Sequence, residues 1–354
     1  MTTEITKKVT LDSLPNEILL TIFKFLDSVD VCLAVANVCE RWNYITRDVT
    51  LWKNLSFICN KNMNMKYISS VLSEMPLIKC VKLQWRTDVD LIFQELCCNC
   101  KDIRKLELVC CGQMKKTCMQ LLADHFPDLE VLSLEKCWAV EPTCFNFVCK
   151  FPCLRSLNVS HCRKMDGPLL REIVDICLFL QHINVDYVRG LYDEDVIYLL
   201  EAKKSSLLSL VLYGECLTDM TYCYMEKCSV LHTLHLSSCL QMTDKGLMSL
   251  IKLNSLKSFK LRLAKHLSTK ALKNFLLSDK ASKLEYLILS RLPGMNDIAA
   301  HNISTNCIHV RYLEIVYCPN VTDRSREYVA SGCKQLKVLH FRQNGPPCGL
   351  GNNS

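Results

Sequence analysis

The stretch Leu129-Glu-Val-Leu132-Ser-Leu134-Glu-Lys-Cys137 decides the fold. Leu132 and Leu134 alternate with polar residues, which is the period of a short strand with one buried face. Leu129 leads into that strand and Cys137 stands at the turn that closes it. The frame returns after 25 residues as Leu154-Leu157-Val159-Cys162, and it precedes itself as Ile103-Leu106-Leu108-Cys111. Working outward, copies begin at residues 52, 78, 103, 129, 154, 180, 207, 231, 256, 284, 310 and 336, spaced by 24 to 28 residues. The first is Trp52-Leu55-Phe57-Asn60 and the last Leu336-Leu339-Phe341-Asn344. Twelve copies at this period predict a solenoid, because one unit cannot bury its apolar face alone and must stack on neighbours.

Each unit carries a second amphipathic element. Leu170, Ile173, Val174 and Cys177 stand at helical spacing, as do Leu272, Phe275 and Leu276. Asp166, Asp219, Asp244 and Asp323 lie four or five residues past the turn, where an acid can cap a helix and suit its positive end. The expected class is therefore α/β.

The array resembles leucine-rich repeats of the cysteine-containing type. The turn cysteines Cys111, Cys137, Cys162, Cys239 and Cys318 carry that resemblance. So do Cys100, Cys177, Cys228, Cys307 and Cys333, each three residues before the next copy. Val188, Glu215, Ala264 and Leu292 depart from the turn pattern. The resemblance implies a curved solenoid, with parallel strands on the concave face and helices on the convex face.

A short head precedes the array. Leu11-Asp-Ser-Leu-Pro-Asn-Glu-Ile-Leu-Leu-Thr-Ile-Phe-Lys-Phe-Leu26 predicts a helix, with Ser13 or Asp12 as cap and Pro15 in the first turn. Ile18, Ile22, Phe25 and Leu26 share one stripe, and Leu14, Leu19 and Phe23 widen it. A stripe this wide on so short a segment implies two contacts, a small internal core and a partner. Helices over Ser28–Ala36 and Val38–Ile45 follow. About 45 residues bury too little to stand alone, so the head needs the array behind it or another protein in front.

Leu14-Pro15-x-Glu17-Ile18-Leu19, Ile22-Phe23-x-Phe25-Leu26-Asp27, Asp30, Val38-Cys39-x-x-Trp42 and Leu51-Trp52 resemble an F-box. An F-box followed by leucine-rich repeats is similar to the substrate receptors of Skp-cullin-F-box ubiquitin ligases. The resemblance implies that the head docks the small Skp adaptor, which joins it to cullin and RING subunits, and that the array holds a protein substrate. It assigns Leu14, Pro15, Ile18, Leu19, Ile22, Phe23, Leu26, Cys39 and Trp42 to the adaptor face. The expected division is an N-terminal tail at 1–8, the F-box at 9–51, the repeats at 52–344 and a Gly/Pro-rich flexible tail at 345–354. The repeats follow the F-box with no linker, so the two are expected to form one rigid body.

Substrate contacts are expected from outward strand positions of the later repeats: Tyr213, His235, Lys260, Arg262, Tyr286, Tyr312, Glu314, His340 and Arg342. Tyr and Arg are favoured at binding hot spots. Across all repeats the outward charges nearly balance, which argues against a polyanion pocket, although Lys260 and Arg262 could grip one phosphate. Cys97, Cys98, Cys100, Cys110 and Cys111 invite a zinc site, but Cys100 and Cys111 fall on positions that other repeats also fill with cysteine. His161-Cys162, His232, His235 and Asp193-Glu194-Asp195 form no catalytic set in repeat register, and the acidic trio reads as a helix start. No metal, cofactor or enzymatic chemistry is expected of the chain.

Composition agrees with these exclusions. The 354 residues carry a net charge of +7 with both signs dispersed, so no nucleic-acid partner is predicted. Ten glycines include no phosphate-cradling motif. Met1–Pro15 has no apolar leader core, and no uncharged run approaches the roughly 18 residues of a membrane span. With 24 cysteines the chain is expected in a reducing compartment, the cytoplasm or nucleus, as a monomer within its complex. The alternative is a leucine-rich-repeat scaffold that does not direct ubiquitination, with or without the adaptor. A weaker third reading is a sensor whose small ligand glues a substrate to the strands.

Overall fold

The computed structural model describes residues 10–52, 55–112 and 114–342. The tails at 1–8 and 345–354, and Asn344, lie outside the described residues. Two compact units divide after Phe151, inside the repeat array rather than at the head boundary.

The first unit opens with four helices: α1 (Asn16–Phe23), α2 (Ser28–Leu33), α3 (Glu40–Thr46) and α4 (Val49–Trp52). Strands β1 (Ser56–Asn60), β2 (Cys80–Gln84), β3 (Lys105–Val109) and β4 (Val131–Glu135) follow and pair in parallel in chain order. Trp52, read as the start of the first repeat, ends α4. Its buried indole donates to the Thr46 carbonyl at 2.8 Å. The head leans on the repeats beside it: the Ser28 hydroxyl donates to the Ser56 carbonyl at 3.0 Å, and Cys32 Sγ to the Glu74 carbonyl at 3.4 Å.

The second unit holds β5 (Ser156–Asn158), β6 (His182–Val185), β7 (Ser209–Tyr213), β8 (Thr233–Ser237), β9 (Ser258–Arg262), β10 (Tyr286–Ser290), β11 (Tyr312–Val316) and β12 (Val338–Arg342). All pair in parallel with their sequence neighbours. The register puts the repeat leucines opposite one another, as in Leu210–Leu234–Phe259–Leu287–Leu313. Each of these is buried, so the alternation read from sequence becomes a continuous apolar core. Helices return the chain between the strands, and several are short helices finished by a 3₁₀ turn, such as Asp219–Tyr224 followed by Met225–Lys227.

The cysteine columns have a geometric cause. In nine repeats the residue before the turn position holds a left-handed backbone, with φ between 53° and 59°. The next side chain then points back across the neighbouring repeat. Cys111 Sγ reaches the Leu83 carbonyl at 3.5 Å, and Cys318 Sγ the Leu289 carbonyl at 3.7 Å. A small, weakly polar thiol suits that place, although Arg86, Val188 and Leu292 fill it in other repeats. Cys100, Cys177, Cys307 and Cys333 end helices, buried, each N–H bonded four residues back. Burial holds the Cys100 and Cys307 thiols up at about 12, so they stay protonated. Among the described residues no three His, Cys, Asp or Glu side chains gather as a metal site.

The helix caps correct one expectation. Asp166 does cap its helix, accepting from the Leu169 N–H. At Asp219, Asp244 and Asp323 the cap is instead the preceding threonine, Thr218, Thr243 or Thr322. Four first-turn acids of this unit do a different job: they reach the cap of the following repeat. Asp193 accepts from the Thr218 N–H and hydroxyl, Asp219 from Thr243, Asp244 from Ser268 and Asp297 from Thr322. Burial pushes the Asp193 and Asp297 carboxyls up, but these hydrogen bonds outweigh it and hold both below the usual range. The repeats are thus stitched by charge as well as by leucine.

Candidate functional site

Two surfaces carry side chains that neither unit's core uses. The first is on the head. Pro15 sits at the N-cap of α1, its carbonyl accepting from the Ile18 and Leu19 N–H groups. Arg41 on α3 fixes this start: its guanidinium donates to Asn16 Oδ1 at 2.8 Å and to the Asp12 and Leu14 carbonyls. No local pattern in the sequence signals that clamp, because its partners lie 25 to 29 residues away.

The nine residues assigned to the adaptor face divide. Leu19 and Phe23 are fully buried in the head, Phe23 against the Trp42 ring at 5.2 Å. This division has a simple cause: a helix of eight residues between α3 and solvent must spend one side on its own core. Leu14 and Trp42 are half-buried, and the Trp42 Nε1 is buried without a hydrogen-bond partner. Pro15, Ile18, Ile22, Leu26 and Cys39 face outward. Three residues missing from that set join them: Leu11, Val38 and Phe25, which is 86% exposed. Phe25 was placed on the stripe by its spacing but left out of the face.

The second surface is the outward side of β7 to β12. Tyr286 and Tyr312 stand opposite in register and stack at 4.3 Å and 13°. His235 extends the stack on one side at 5.9 Å, and the His340 ring tilts against the other side at 5.6 Å and 51°. The Tyr312 hydroxyl donates to Glu314 at 3.1 Å. Tyr213 belongs to a different stack, with Tyr187 at 5.1 Å and His161 beyond it at 4.1 Å. Arg262 reaches back to the Tyr187 hydroxyl at 3.4 Å, and Arg342 donates to the Tyr317 hydroxyl at 3.2 Å. His161, Tyr187 and Tyr317 were missed as members of this face. All three hold the left-handed position before the turn, which aims them along the strand ends. The signal was available as a fixed offset, one residue before each turn position.

Electrostatics follows from this crowding. Burial, with the Lys260 cation second, lowers His235 to about 4, so it is neutral at physiological pH and hydrogen-bonds Ser258 Oγ at 2.9 Å. Burial raises the Asp186 carboxyl, against Lys260, which pulls it down. Burial, then the bond to Glu314, raises the Tyr312 hydroxyl to about 12. His232, at the start of the same strand region, is exposed beside the Val230 carbonyl and does not join His235.

Known proteins share both parts. Residues 11–58 match the F-box-like family model and residues 227–250 a leucine rich repeat model. The chain is 27% identical over 298 residues to DNA repair protein rhp7 of Schizosaccharomyces pombe, covering 78% of this chain and 51% of that protein. It is 24% identical over 247 residues to F-box/LRR-repeat protein 4 of Bos taurus, covering 68% and 35%. The chain thus spans about half or less of the length of these curated relatives. The crystal structure of the Rad7 and Elc1 complex in yeast superposes with a TM-score of 0.66 at 17% identity, over 92% of this chain and 87% of that one. At that identity the likeness is one of fold.

Proposed function

We propose that this F-box/leucine-rich-repeat chain is the substrate-recognition subunit of a Skp-cullin-F-box ubiquitin ligase. The head docks a Skp-type adaptor, the strand face of the second unit captures a protein substrate, and ubiquitin transfer belongs to the other subunits. The observation that carries the reading is the apolar surface left open on the head, with Phe25, Ile18, Ile22 and Leu26 side by side on a segment that matches an F-box. A head of this size has no reason to keep four large apolar side chains in water unless a partner covers them. Among the described residues no helix is long and apolar enough to cross a membrane.

The capture half of the proposal has its own test. Alanine at Tyr286, Tyr312 and Arg262 together removes the stack and one cation of the strand face without touching its buried leucines. Proteins recovered with this variant from cells, quantified by mass spectrometry, are expected to lose the substrate while keeping the adaptor. Full recovery of every partner would move the capture site off this face.

A further inference from the structure

Cations outnumber anions on the outward face of the second unit. Arg291 and Arg342 are engaged, both lying over the Tyr317 ring. Glu314 accepts from Tyr312. Lys260 and Arg262 lie two residues apart on β9 and on the same side of the strand, and Arg262 donates only a long bond, to the uncharged Tyr187 hydroxyl at 3.4 Å. Both are half-buried, and among the described residues no carboxylate stands within ion-pair distance of either. The groups facing Lys260 are the neutral imidazole of His235 and the Ile288 side chain, on the two adjacent strands in register, with the Asp186 carboxyl attracting it from beyond ion-pair distance. A half-buried ammonium without a carboxylate in ion-pair contact is only partly compensated, and an incoming anion improves on that.

Flat aromatic surfaces flank these cations. Tyr213, on β7, and Tyr187 form one slab; Tyr286, on β10, and Tyr312 form the other. Strands lie ~4.8 Å apart, so β7 to β10 spans about 14 Å, with β9 between. In an extended peptide every second side chain points the same way, at about 6.6 Å intervals. Tyr286 leans back to His235 at 5.9 Å and the Tyr187 hydroxyl meets Arg262 at 3.4 Å, so both slabs close on the two cations, within reach of alternate side chains of one extended peptide. A nucleic acid fits worse, because the same face carries the Asp186 and Glu314 carboxylates, which repel a repeating phosphate chain more than a single carboxylate.

We propose that Lys260 and Arg262 seat the carboxylate of an extended acidic peptide segment of the form apolar-x-acid-x-apolar, whose apolar side chains rest on the two tyrosine slabs. The proposal deepens the capture half of the receptor reading and rests on it.

Panning a degenerate display library of unphosphorylated peptides on the full chain tests it. Wild type is expected to enrich Asp or Glu at one position with apolar residues two places to either side. By fluorescence anisotropy, Lys260→Glu should weaken the best selected peptide at least about tenfold, a loss of ~1.4 kcal/mol. Lys260→Arg should retain it, and rising salt should weaken the wild-type complex. Lys260→Met serves if the reversed charge disturbs folding by circular dichroism. Absence of acid enrichment, or equal affinity in wild type and Lys260→Glu, overturns the proposal. So does binding of phosphorylated peptides alone, which would make the anion a phosphate. If the proposal fails while the Tyr286, Tyr312 and Arg262 alanine variant still loses its cellular partner, only the acidic class falls and the receptor reading stands.

Discussion

Aspartate at both Ile22 and Phe25 is expected to abolish binding of a Skp-type adaptor and to leave the chain folded. Phe25 is 86% exposed and Ile22 37%, so neither belongs to the closed core of the head. Full burial of such a side chain is worth at most roughly 1.5–3 kcal/mol, a limit Phe25 approaches more closely than Ile22. Two of them together represent at most about 3–6 kcal/mol, or roughly two to four decades in Kd. A buried, unpaired aspartate adds its own cost on top. The same change at Leu19 or Phe23 would be uninformative, since both are core and binding would be lost with the fold. Alanine at Leu14 and Pro15 lies between these cases: Pro15 is exposed, but Leu14 is half-buried and its carbonyl is held by Arg41. Isothermal titration of the purified adaptor, with circular dichroism as the folding control, reads the result. Unchanged affinity in a folded Ile22, Phe25 variant would remove this surface from the interface.

The largest expected effect on stability is at Arg86. It occupies the turn position that other repeats fill with cysteine, yet it is only 5% exposed. Its guanidinium donates to the Asn60 carbonyl at 2.8 Å, to the Met63 carbonyl, and through two nitrogens to Asp88 at 2.9 and 2.6 Å. One side chain thus closes the loop after β1 and the approach to the helix after β2. Arg86→Met keeps the volume and deletes every donor. Two backbone carbonyls then lose their partners, and a destabilisation of about 2–4 kcal/mol follows. Arg86→Lys should recover only part of it, because an ammonium cannot present the planar fork. Urea denaturation followed on the first unit's tryptophans measures both. A loss under about 0.5 kcal/mol for the methionine variant would mean that water replaces the guanidinium without cost.

The repeat array was legible because its signal is redundant. A strand whose inner residues are Leu210 and Leu212 is ambiguous alone, but twelve such frames at one period admit a single explanation. The head was legible as a motif and ambiguous as a surface. Leu19 and Ile22 are equally apolar, and only the position of α3 decides that one is core and the other open. The aspartates after the turns were misread for a related reason. Threonine followed by aspartate satisfies capping preference at either residue, and the bridge from Asp219 to Thr243 exists only once repeats stack. His161, Tyr187 and Tyr317 escaped because nothing in their type announces a left-handed backbone, which is ordinarily the province of glycine and asparagine. Their positions are dictated by the turn, and the turn by the repeat.

The central claim is that the head recruits a ligase and the strands recruit its target. Affinity purification of the wild-type chain beside a variant lacking residues 1–50, read by quantitative mass spectrometry, tests it most directly. The account predicts that the Skp-type adaptor and a cullin accompany the wild type, that both vanish with the deletion, and that a further protein persists with each. Absence of adaptor and cullin from the wild type, or their undiminished recovery with the deletion, would contradict it.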